Sequence, residues 1–356
     1  MARFVHLHVH TEYSMLDGAA RVSQLTQETA RLGMPAIAIT DHGNNFGAYD
    51  FWSTAKKAGV KPIIGIEAYL TPGTKRSERT KVRWGNGGEE DVSGGGAFTH
   101  ATMLAKDNAG MFNLFRMSSM AFLDGFYFRP RIDRELLQKY SKGVIATTGC
   151  VSGEVQTRLR LGQYQEARQA AAEFQDIFGK ENYFAEIMDH GIAIERRTMT
   201  ELIALAKDLS IPLVATNDLH YTEPEDAQAH DALLCVQVGS NLYDENRFKF
   251  ESQEYFLKSA EQMREIFKEH PDACDNTLLI AEKCEVSFEK RDLMPRFPVP
   301  DGETESGWLE KEVWRGMDRR FPDGYSERHK QQAAYEIDVI RNMGFPGYFL
   351  VVADFI

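Results

Sequence analysis

Short apolar runs alternate with amphipathic stretches over roughly the first two thirds of the chain. The apolar runs predict strands at residues 4–10, 35–40, 61–70, 100–106, 143–149, 183–188 and 211–218. Helical periodicity predicts helices over 22–33, 46–59, 164–179 and 193–209. This alternation indicates βαβ units and a parallel sheet. Seven such strands favour a closed α/β barrel of the TIM-like type over an open sheet.

Two stretches depart from this alternation. Residues 73–96 are rich in glycine and charge and hold no apolar period, which predicts a mobile insertion. Beyond about residue 285 the chain becomes proline-bearing and linker-like, before helices predicted over 306–320 and 326–343. It then ends in the apolar run GYFLVVADFI, which we interpret as the start of a region whose remainder is absent. We therefore expect a first domain at 1–285 and a truncated, α-rich region at 286–356.

Composition and charge narrow the functional classes. The 356 residues carry a net charge of −12, which argues against binding of nucleic acid through a broad basic surface. Some of the acidic side chains can instead surround bound metal cations. The N-terminal MARFVHLHVH holds no signal-peptide core, and no run of about 18 apolar residues predicts a membrane span. Four cysteines without CxxC spacing are expected to be reduced thiols. These features predict a cytoplasmic protein.

Potential metal ligands recur at the predicted strand ends, where functional groups gather in a parallel barrel. His8 and His10 close the first strand on one face, because side chains alternate with period two. Asp17 follows in the next turn, and the ligand types that end or follow later strands are Asp41, His42, Glu67, Cys150, Asp189, His190, Asp218 and His220. Any single one is more often a hydrogen-bonded structural residue than a ligand, but that interpretation explains the recurrence poorly.

The chemistry of these residues fits divalent metals. Imidazole and carboxylate suit zinc, manganese and iron, and a thiolate favours softer ions. With so many ligands we expect a cluster of two or three ions, of the kind that activates water and stabilises both oxygens in phosphoryl displacement. His6 is expected to share the face of His8 and His10 but to lie one layer deeper, as a supporting residue.

The remaining histidines and cysteines are expected to be structural. The histidines interpreted as surface or packing residues are His230, His270 and His329. The cysteines interpreted as helix core are Cys235, Cys274 and Cys284.

Five motifs in order resemble the polymerase and histidinol phosphatase (PHP) domain. They are HLHVHTEYSMLDG, ITDHG, GIEAYL, TGCVSGEV and ATNDLHY. The likeness is to the version of the domain that opens the alpha subunit of bacterial DNA polymerase III. The segments LMPRFPVPDGETE and NMGFPGYFLVVADF resemble the passage from that domain into the polymerase palm. The resemblance runs essentially from end to end of the chain.

The resemblance implies a distorted seven-stranded (β/α) barrel with a cluster of three metal ions. One ion would take His8, His10, Glu67 and Asp218. A second would share Glu67 and add His100 and Cys150, and a third would take Asp17, His42 and His220. His100 opens its predicted strand instead of closing it, so its place in the set depends on the resemblance. Every ligand position of the family holds a ligating residue, which implies a competent site.

The activity implied by the resemblance is 3′–5′ exonuclease proofreading, in which metal-activated water hydrolyses the 3′-terminal phosphodiester of DNA. Asp189 and His190 are placed to meet substrate. Arg129 and Arg131 can hold phosphate bidentately, although a solvated loop or ion pairs explain them equally well. The five Lys and Arg residues of 75–83 can touch a DNA strand, but a solvated loop is the safer interpretation. The implied partners are the primer-template 3′ end, the remainder of the replicative polymerase and other replisome subunits.

Other functions stay open at this stage. Polymerase activity is not expected, because no Asp-x-Asp pair supplies the carboxylates of nucleotidyl transfer. The barrel can be a scaffold that stabilises the polymerase and binds its proofreading partner, with metals as structural staples. It can also be a phosphomonoesterase of the histidinol-phosphate kind, against which the polymerase-like tail argues. An amidohydrolase barrel shares the HxH and late aspartate, but commonly bridges its ions with a modified lysine, and no lysine closes a predicted strand here.

Overall fold

Short apolar runs form a curved sheet, as the alternating pattern predicts. The computed structural model describes residues 2–86, 92–289, 291 and 293–356, and within them eight strands pair in one sheet. The strands are β1 (Ala36–Ile39), β2 (Lys61–Leu70), β3 (Thr99–Ala105), β4 (Phe126–Tyr127), β5 (Arg129–Ile132), β6 (Val144–Thr147), β7 (Tyr183–Ile187) and β8 (Leu213–Ala215). Their spatial order is β4-β5-β2-β3-β6-β7-β8, and β1 pairs with the first half of β2.

Amphipathic segments form the helices, as α1 illustrates by burying Val22, Leu25, Thr26 and Thr29 on one face. The helices are α1 (Val22–Arg31), α2 (Ala48–Lys57), α3 (Ser93–Gly96), α4 (Asn108–Asp124), α5 (Arg134–Tyr140), α6 (Glu154–Arg160), α7 (Tyr164–Phe178), α8 (Ala193–Leu209), α9 (Ala227–Val238), α10 (Ala260–Ile266), α11 (Pro271–Lys283), α12 (Glu305–Arg320), α13 (Glu327–Asn342) and α14 (Pro346–Phe355). Single 3₁₀ turns lie at Glu12–Ser14 and Pro224–Asp226. No helix of the described residues has the length and apolarity needed to cross a membrane.

The prediction of an all-parallel sheet is wrong for one strand of the ring. β3 runs antiparallel to both of its neighbours, β2 and β6, whereas β1, β2, β6, β7 and β8 keep the expected parallel pairings among themselves. Parallel neighbours need a crossover, usually a helix packed on the sheet. The connection from β2 to β3 carries only the four-residue α3 among its described residues, so the next strand returns in the opposite direction. A hairpin, β4–β5, is added beside the end of β2.

The N-terminal segment closes the sheet into a ring. It forms isolated bridges instead of a continuous strand, His6 with Ile37 of β1 and Val9 with Leu219 beyond β8. The amides of His10 and Leu219 donate to the carbonyls of Leu219 and His8, respectively, on the β8 side. On the β1 side, the Ala38 amide donates to the His6 carbonyl. The fold is therefore an α/β, distorted seven-stranded barrel, with this segment as the seventh member.

A bend at His8 changes which side chains face the barrel interior. Leu7 packs in the apolar cluster inside the barrel, which also contains side chains from most of the strands and from α11. Val9 packs instead with the helices outside the sheet. Strict alternation would keep Leu7 and Val9 on one face. His6 pairs beside the outward-facing Ile37, so the expectation that it shares the face of His8 and His10 is wrong.

The chain divides into two units, Met1–Phe288 and Glu289–Ile356. The second unit consists of α12, α13 and α14, and the apolar tail forms α14. The functions expected for 1–285 and 286–356 stay predictions. The expected mobile insertion is tied to the barrel along its first part, because Arg76 pairs with Asp133 at 3.1 Å. Residues 87–91 of that insertion lie outside the described residues.

Candidate metal centre

Glu67 lies at the centre of a buried cluster near the end of β2. Its carboxylate lies 3.0 Å from Nδ1 of His100, 2.7 Å from Nδ1 of His42 and 3.3 Å from Nε2 of His8. The thiol of Cys150 lies 3.3 Å from the same carboxylate. The side chain is 1% exposed, so its charge is balanced by these neighbours and not by water. Glu67 is thus positioned to bridge several cations.

Asp218 and Asp17 extend the cluster on either side. Oδ1 of Asp218 lies 3.3 Å from Nε2 of His8 and 3.2 Å from Nε2 of His10. Oδ2 of Asp17 lies 3.2 Å from Nε2 of His42. The His220 ring stacks on the His10 ring with centroids 4.4 Å apart. Asp218 has a φ of 41°, a left-handed conformation that costs an aspartate energy and is held by the surrounding structure.

Three groups of ligand atoms lie within 4.8 Å of one another among the described residues. The groups are His8–His10–Glu67, His42–Glu67–His100 and His10–His42–His220. These groups contain six of the nine residues implied by the resemblance, and the other three, Asp17, Cys150 and Asp218, lie against them. Which residues share which ion stays a prediction.

Unpartnered buried atoms test whether a metal suits this site. The atoms that are buried and make no hydrogen bond within the described residues include Nε2 of His8, Nε2 of His10, Oδ1 of Asp17, Nδ1 of His42, Oε2 of Glu67 and Oδ1 of Asp218. Several of these atoms face one another as ion pairs but do not form hydrogen bonds, and divalent cations bind imidazole and carboxylate atoms of this kind. The residues present fit a metal cluster.

The electrostatics differ among the ligand candidates: despite burial, neighbouring carboxylates raise the pKa values of His8 and His42, whereas His10 and Glu67 are held in their deprotonated forms. Burial and the neighbouring imidazoles of His42 and His220 lower the pKa of His10 to about 3, so this ring is neutral. Burial opposes the charge on Glu67, yet the imidazoles of His100 and His42 hold the pKa of Glu67 well below its usual range. Metal ligands must be deprotonated, so both groups are prepared for coordination.

Cys150 differs from these ligands. Burial, reinforced by the nearby carboxylates of Glu67 and Asp218, raises the pKa of the Cys150 thiol well above its usual value. The thiol is therefore protonated beside the carboxylates alone. A coordinated cation reverses this balance, because it deprotonates a thiol ligand. Cys150 is thus the ligand candidate whose ionisation depends most on metal.

Strand direction explains how these residues converge. The C-terminal ends of β1, β2, β6 and β8 open at one end of the barrel, and His42, Glu67, Cys150 and Asp218 lie there. His100 lies at the start of β3, opposite Tyr69 near the end of β2. Because β3 is antiparallel, its first residues lie at the same end of the barrel as the last residues of β2. This geometry accounts for the one ligand that the strand-end pattern did not find.

Glu186, near the end of β7, lies beside the candidate site and is absent from the residues that the sequence analysis selected. Its carboxylate accepts a hydrogen bond from Thr216 at 2.6 Å and another from Thr147, and lies 2.7 Å from Nδ1 of His8. A carboxylate on the second ring nitrogen fixes the orientation of a ligating histidine. The signal was present, since Glu186 is the acidic residue of YFAEIM, but the strand-end pattern selects the later Asp189 and His190.

Two of the predicted substrate contacts, Arg131 and His190, have enclosed side chains. Arg131 is fully buried, and its guanidinium donates to the carbonyls of Gly125, Ala97, Arg76 and Glu78. His190 lies with Nδ1 2.7 Å from Glu195 and Nε2 2.7 Å from the Asn217 carbonyl. Asp189 is engaged as well, since it pairs with Arg196 at 3.1 Å. The first two side chains are thus engaged in contacts within the fold, and neither lines the cavity above the cluster.

His230 is neither a surface residue nor ordinary packing. Its side chain is 3% exposed, and Nε2 lies 2.8 Å from the backbone carbonyl of Asp17. Its ring meets the edge of His220 at 5.6 Å. His230 therefore supports the Asp17 and His220 side of the cluster. Cys235 and Cys274 are buried in helices, as expected, and Cys284 is buried at the end of α11.

A cavity of about 510 Å³ opens above the cluster. Asp17, His42, Glu67, His100, Cys150, Asp218 and His220 line it. Arg129 also lines it, with its guanidinium 5.9 Å from the Tyr69 ring. Within the described ranges no hydrogen bond or ion pair holds the Arg129 side chain. The cavity thus combines a floor of acidic and histidine side chains with the guanidinium of Arg129, which is available to a ligand.

Comparison with known proteins agrees with the resemblance drawn from the motifs. The PHP domain family matches residues 6–190, and the family described as bacterial DNA polymerase III alpha NTPase domain matches residues 307–356. DNA polymerase III subunit alpha of Mycobacterium tuberculosis is 53% identical over 360 residues, covering 99% of this chain and 30% of the relative. The same subunit of Borreliella burgdorferi is 39% identical and covers 100% of this chain and 30% of the relative.

The chain therefore spans about 30% of the length of the curated relatives it matches. A solved structure named as a metal-dependent phosphoesterase from Bifidobacterium adolescentis aligns with a TM-score of 0.39 and 15% identity. That alignment covers 75% of this chain and 95% of the other.

Proposed function

The chain belongs to the PHP domain family, and from that premise we propose that it is a metal-dependent 3′–5′ exonuclease acting on DNA. The observation that carries the proposal is the meeting of nine ligand-type side chains beneath one cavity. A purely structural site explains this poorly, because six buried polar atoms of the cluster make no hydrogen bond among the described residues. The substrate is a 3′-terminal phosphodiester.

The proposed metal site holds three divalent ions, for which zinc, manganese or iron suit the donor set. Its ligands are His8, His10, Asp17, His42, Glu67, His100, Cys150, Asp218 and His220. When bound, such ions supply Lewis-acid activation of water and neutralise charge on a phosphate. Glu186 orients His8 by accepting from Nδ1, which leaves Nε2 directed at Glu67 and Asp218.

Arg129 is the residue proposed to bind the substrate phosphate. Its guanidinium lines the cavity beside Tyr69 and is not committed to a carboxylate. An arginine fork can donate two parallel hydrogen bonds to a phosphate, which fixes the orientation of the group as well as its position. Arg129 would hold the scissile group over the ligand cluster.

The wider setting follows from the relatives. We propose that the chain is part of a bacterial replicative DNA polymerase, a DNA-directed DNA polymerase III alpha subunit that works in the cytoplasm. Its partners would be the 3′ end of a primer-template, the remainder of the polymerase and other replisome subunits. The support is the identity of 53% and 39% to two such subunits along essentially the whole chain.

Digestion of a 3′-labelled, mismatched primer-template tests the proposed activity. The purified chain, loaded with Mn²⁺ or Zn²⁺, should release labelled mononucleotide. His8→Ala should lower the rate at least about a hundredfold, because the ring is a central ligand. His329→Ala is a matched control, since His329 lies exposed on α13 in the second unit. Absence of mononucleotide from a metal-loaded sample, or equal release by His8→Ala, would reject the proposal.

A further inference from the structure

The connection between α9 and α10, residues 239–259, lies beside the candidate metal centre. It forms no helix or strand of its own, although it is long. Long connections of this kind within a compact unit usually have a function. Phe248, Phe250 and Tyr255 of this connection line the same cavity as the ligand cluster. The segment therefore contributes an aromatic surface to the site.

Phe250 anchors this surface to the cluster. Its ring meets the edges of His220 and His230 at 4.9 Å each, and packs on Tyr255 at 4.7 Å. These contacts fix the connection against the ligand His220 and against His230, which supports Asp17. The ring of Phe250 is occupied by its neighbours and is half-buried.

Phe248 has a different environment. Its ring lies 6.1 Å from the Phe250 ring, lines the cavity and remains 53% exposed. Val238, at the end of α9, lines the same cavity and is 47% exposed. Apolar exposure at the rim of a charged cavity indicates a contact for the apolar part of a ligand. The ring has a free surface, and its anchored neighbour keeps it in place.

The chemistry of the whole cavity identifies that ligand. The floor and Arg129 suit a phosphate, and Phe248 suits the flat face of a base attached to it. A volume of about 510 Å³ is within the usual range for small-ligand sites of about 300–1,000 Å³. Aromatic side chains bind successive bases of single strands through stacking, with little sequence preference, because every base has a π-face.

We propose that Phe248 is a base-stacking platform that selects an unpaired 3′-terminal nucleotide for this cavity. The inference rests on the proposed function and adds the form of its substrate. The 3′-terminal base of a duplex is paired to the template and stacked on its inner neighbour, so it must separate from both before its nucleotide can enter the cavity beside Phe248. Mismatched and frayed ends lose less energy in doing so, and the ring therefore favours them over paired ends.

Oligonucleotides that differ only at their 3′ end test the platform. One ends in a natural nucleotide and the other in an abasic tetrahydrofuran residue. The metal-loaded chain should prefer the natural end in kcat/KM by about tenfold, the factor that about 1.4 kcal/mol of stacking supplies. Phe248→Ala should abolish most of that preference, and Phe248→Trp should keep it. Phe112→Ala is the matched control, because Phe112 is 54% exposed on α4 and does not line the cavity.

A second readout does not depend on catalysis. The indole fluorescence of Phe248→Trp, measured against the wild-type background, should be quenched by the natural end and far less by the abasic end. Cleavage of both ends at the same rate, with no selective quenching, would overturn the platform while leaving the exonuclease intact. Loss of all cleavage in the wild type would reject the proposed function, and selective quenching would then still support the platform.

Discussion

The three histidines of the N-terminal segment have different surroundings, although they stand at alternate positions. Nε2 of His6 lies 2.8 Å from the carbonyl of Lys258, and burial lowers the pKa of His6 to about 4. His8 and His10 direct Nε2 at carboxylates of the cluster. The bend at His8 separates the two environments. His6 therefore holds a neighbouring segment in place, and the other two are ligand candidates.

We predict that His6→Ala costs less nuclease activity than His8→Ala or His10→Ala. The expected loss is below about tenfold for His6, against about a hundredfold or more for either neighbour, because His6 reaches no ligand atom. The check is the initial rate on mismatched DNA together with the bound metal per chain. His6→Gln, which keeps a polar side chain, separates a folding defect from a site defect. An equal or greater loss of metal in the folded His6 variant would refute this division.

Arg129 and Arg131 show how little a local pattern says about a single charged residue. They are two positions apart on β5 and should share a face, yet one is exposed and the other is fully buried. The difference comes from the stretch after β2, whose carbonyls at Arg76 and Glu78 accept from Arg131. Burial of an arginine is tolerated when its donors are satisfied. Only the packing of that stretch separates the two roles.

At the scale of elements, the direction of β3 decides whether His100 reaches the site. A parallel β3 would have carried residue 100 to the opposite end of the barrel from Glu67. The antiparallel register sets Thr102 opposite Glu67 and His100 opposite Tyr69, and Nδ1 of His100 then lies 3.0 Å from the Glu67 carboxylate. The reversed strand β3 thus supplies its ligand candidate from its first residues, whereas the parallel strands supply theirs at or after their last residues.

Helix α4 must approach the turn before β6 closely, and Gly110 permits it. A Cβ at Gly110 would lie 1.8 Å from the Gly143 carbonyl oxygen. We predict that Gly110→Ala lowers the free energy of unfolding by about 1–3 kcal/mol, because the backbone must shift to make room. Alanine in place of a helical glycine ordinarily stabilises by about 1 kcal/mol. Urea denaturation measures the difference.

Gly316 provides the matched comparison for this prediction. It lies inside α12, and a Cβ added there meets nothing within 4 Å among the described residues. Gly316→Ala should therefore be neutral or stabilising for its own unit. A Gly110→Ala chain that unfolds at or above the wild-type midpoint would show that α4 does not pack as described.

At the scale of the whole molecule, the cluster joins distant parts of the chain. His8, Glu67, Cys150 and Asp218 come from four separated segments that the barrel brings together, and the chain as a whole carries a net charge of −12. Buried acids of like charge oppose folding unless cations or imidazoles balance them. The first unit should therefore be most stable with its metals bound.

We predict that chelation with EDTA lowers the melting temperature of the wild-type chain. A ligand that binds only the folded state stabilises it by about 2.7 kcal/mol at a hundredfold excess over Kd, which corresponds to roughly 4–5 °C in a unit the size of Met1–Phe288. Re-addition of Mn²⁺ should restore the transition. The check is differential scanning calorimetry, with Glu67→Gln as the variant that should respond weakly.

The same experiment distinguishes catalysis from scaffolding. If the melting temperature depends on metal but no nucleotide is released, the ions stabilise the fold and do not take part in catalysis. A chain that responds to metal in both stability and activity supports the exonuclease. An unchanged melting temperature after complete chelation would argue against a metal centre in the folded state.

The sequence by itself determined most of the strands and some of the helices, but it gave no bounds for α4, α5 or α6. Periodicity placed the bounds of β2, α7 and α8 within one residue, because apolar spacing follows directly from the geometry of strands and helices. Most ligand candidates were also identified from their positions at predicted strand ends, because the C-terminal ends of parallel strands lie at the same end of a barrel. The full ligand set, including His100, came from the resemblance to a family and not from spacing.

Tertiary structure alone decided the rest. The reversal of β3, the closure by isolated bridges and the bend at His8 depend on pairing between segments far apart in sequence, which no local pattern encodes. The burial of Arg131 and His190 and the role of Glu186 depend on what packs around each side chain. A residue type fixes which chemistry is available, but neighbours from other segments fix whether that chemistry faces a ligand, water or the core.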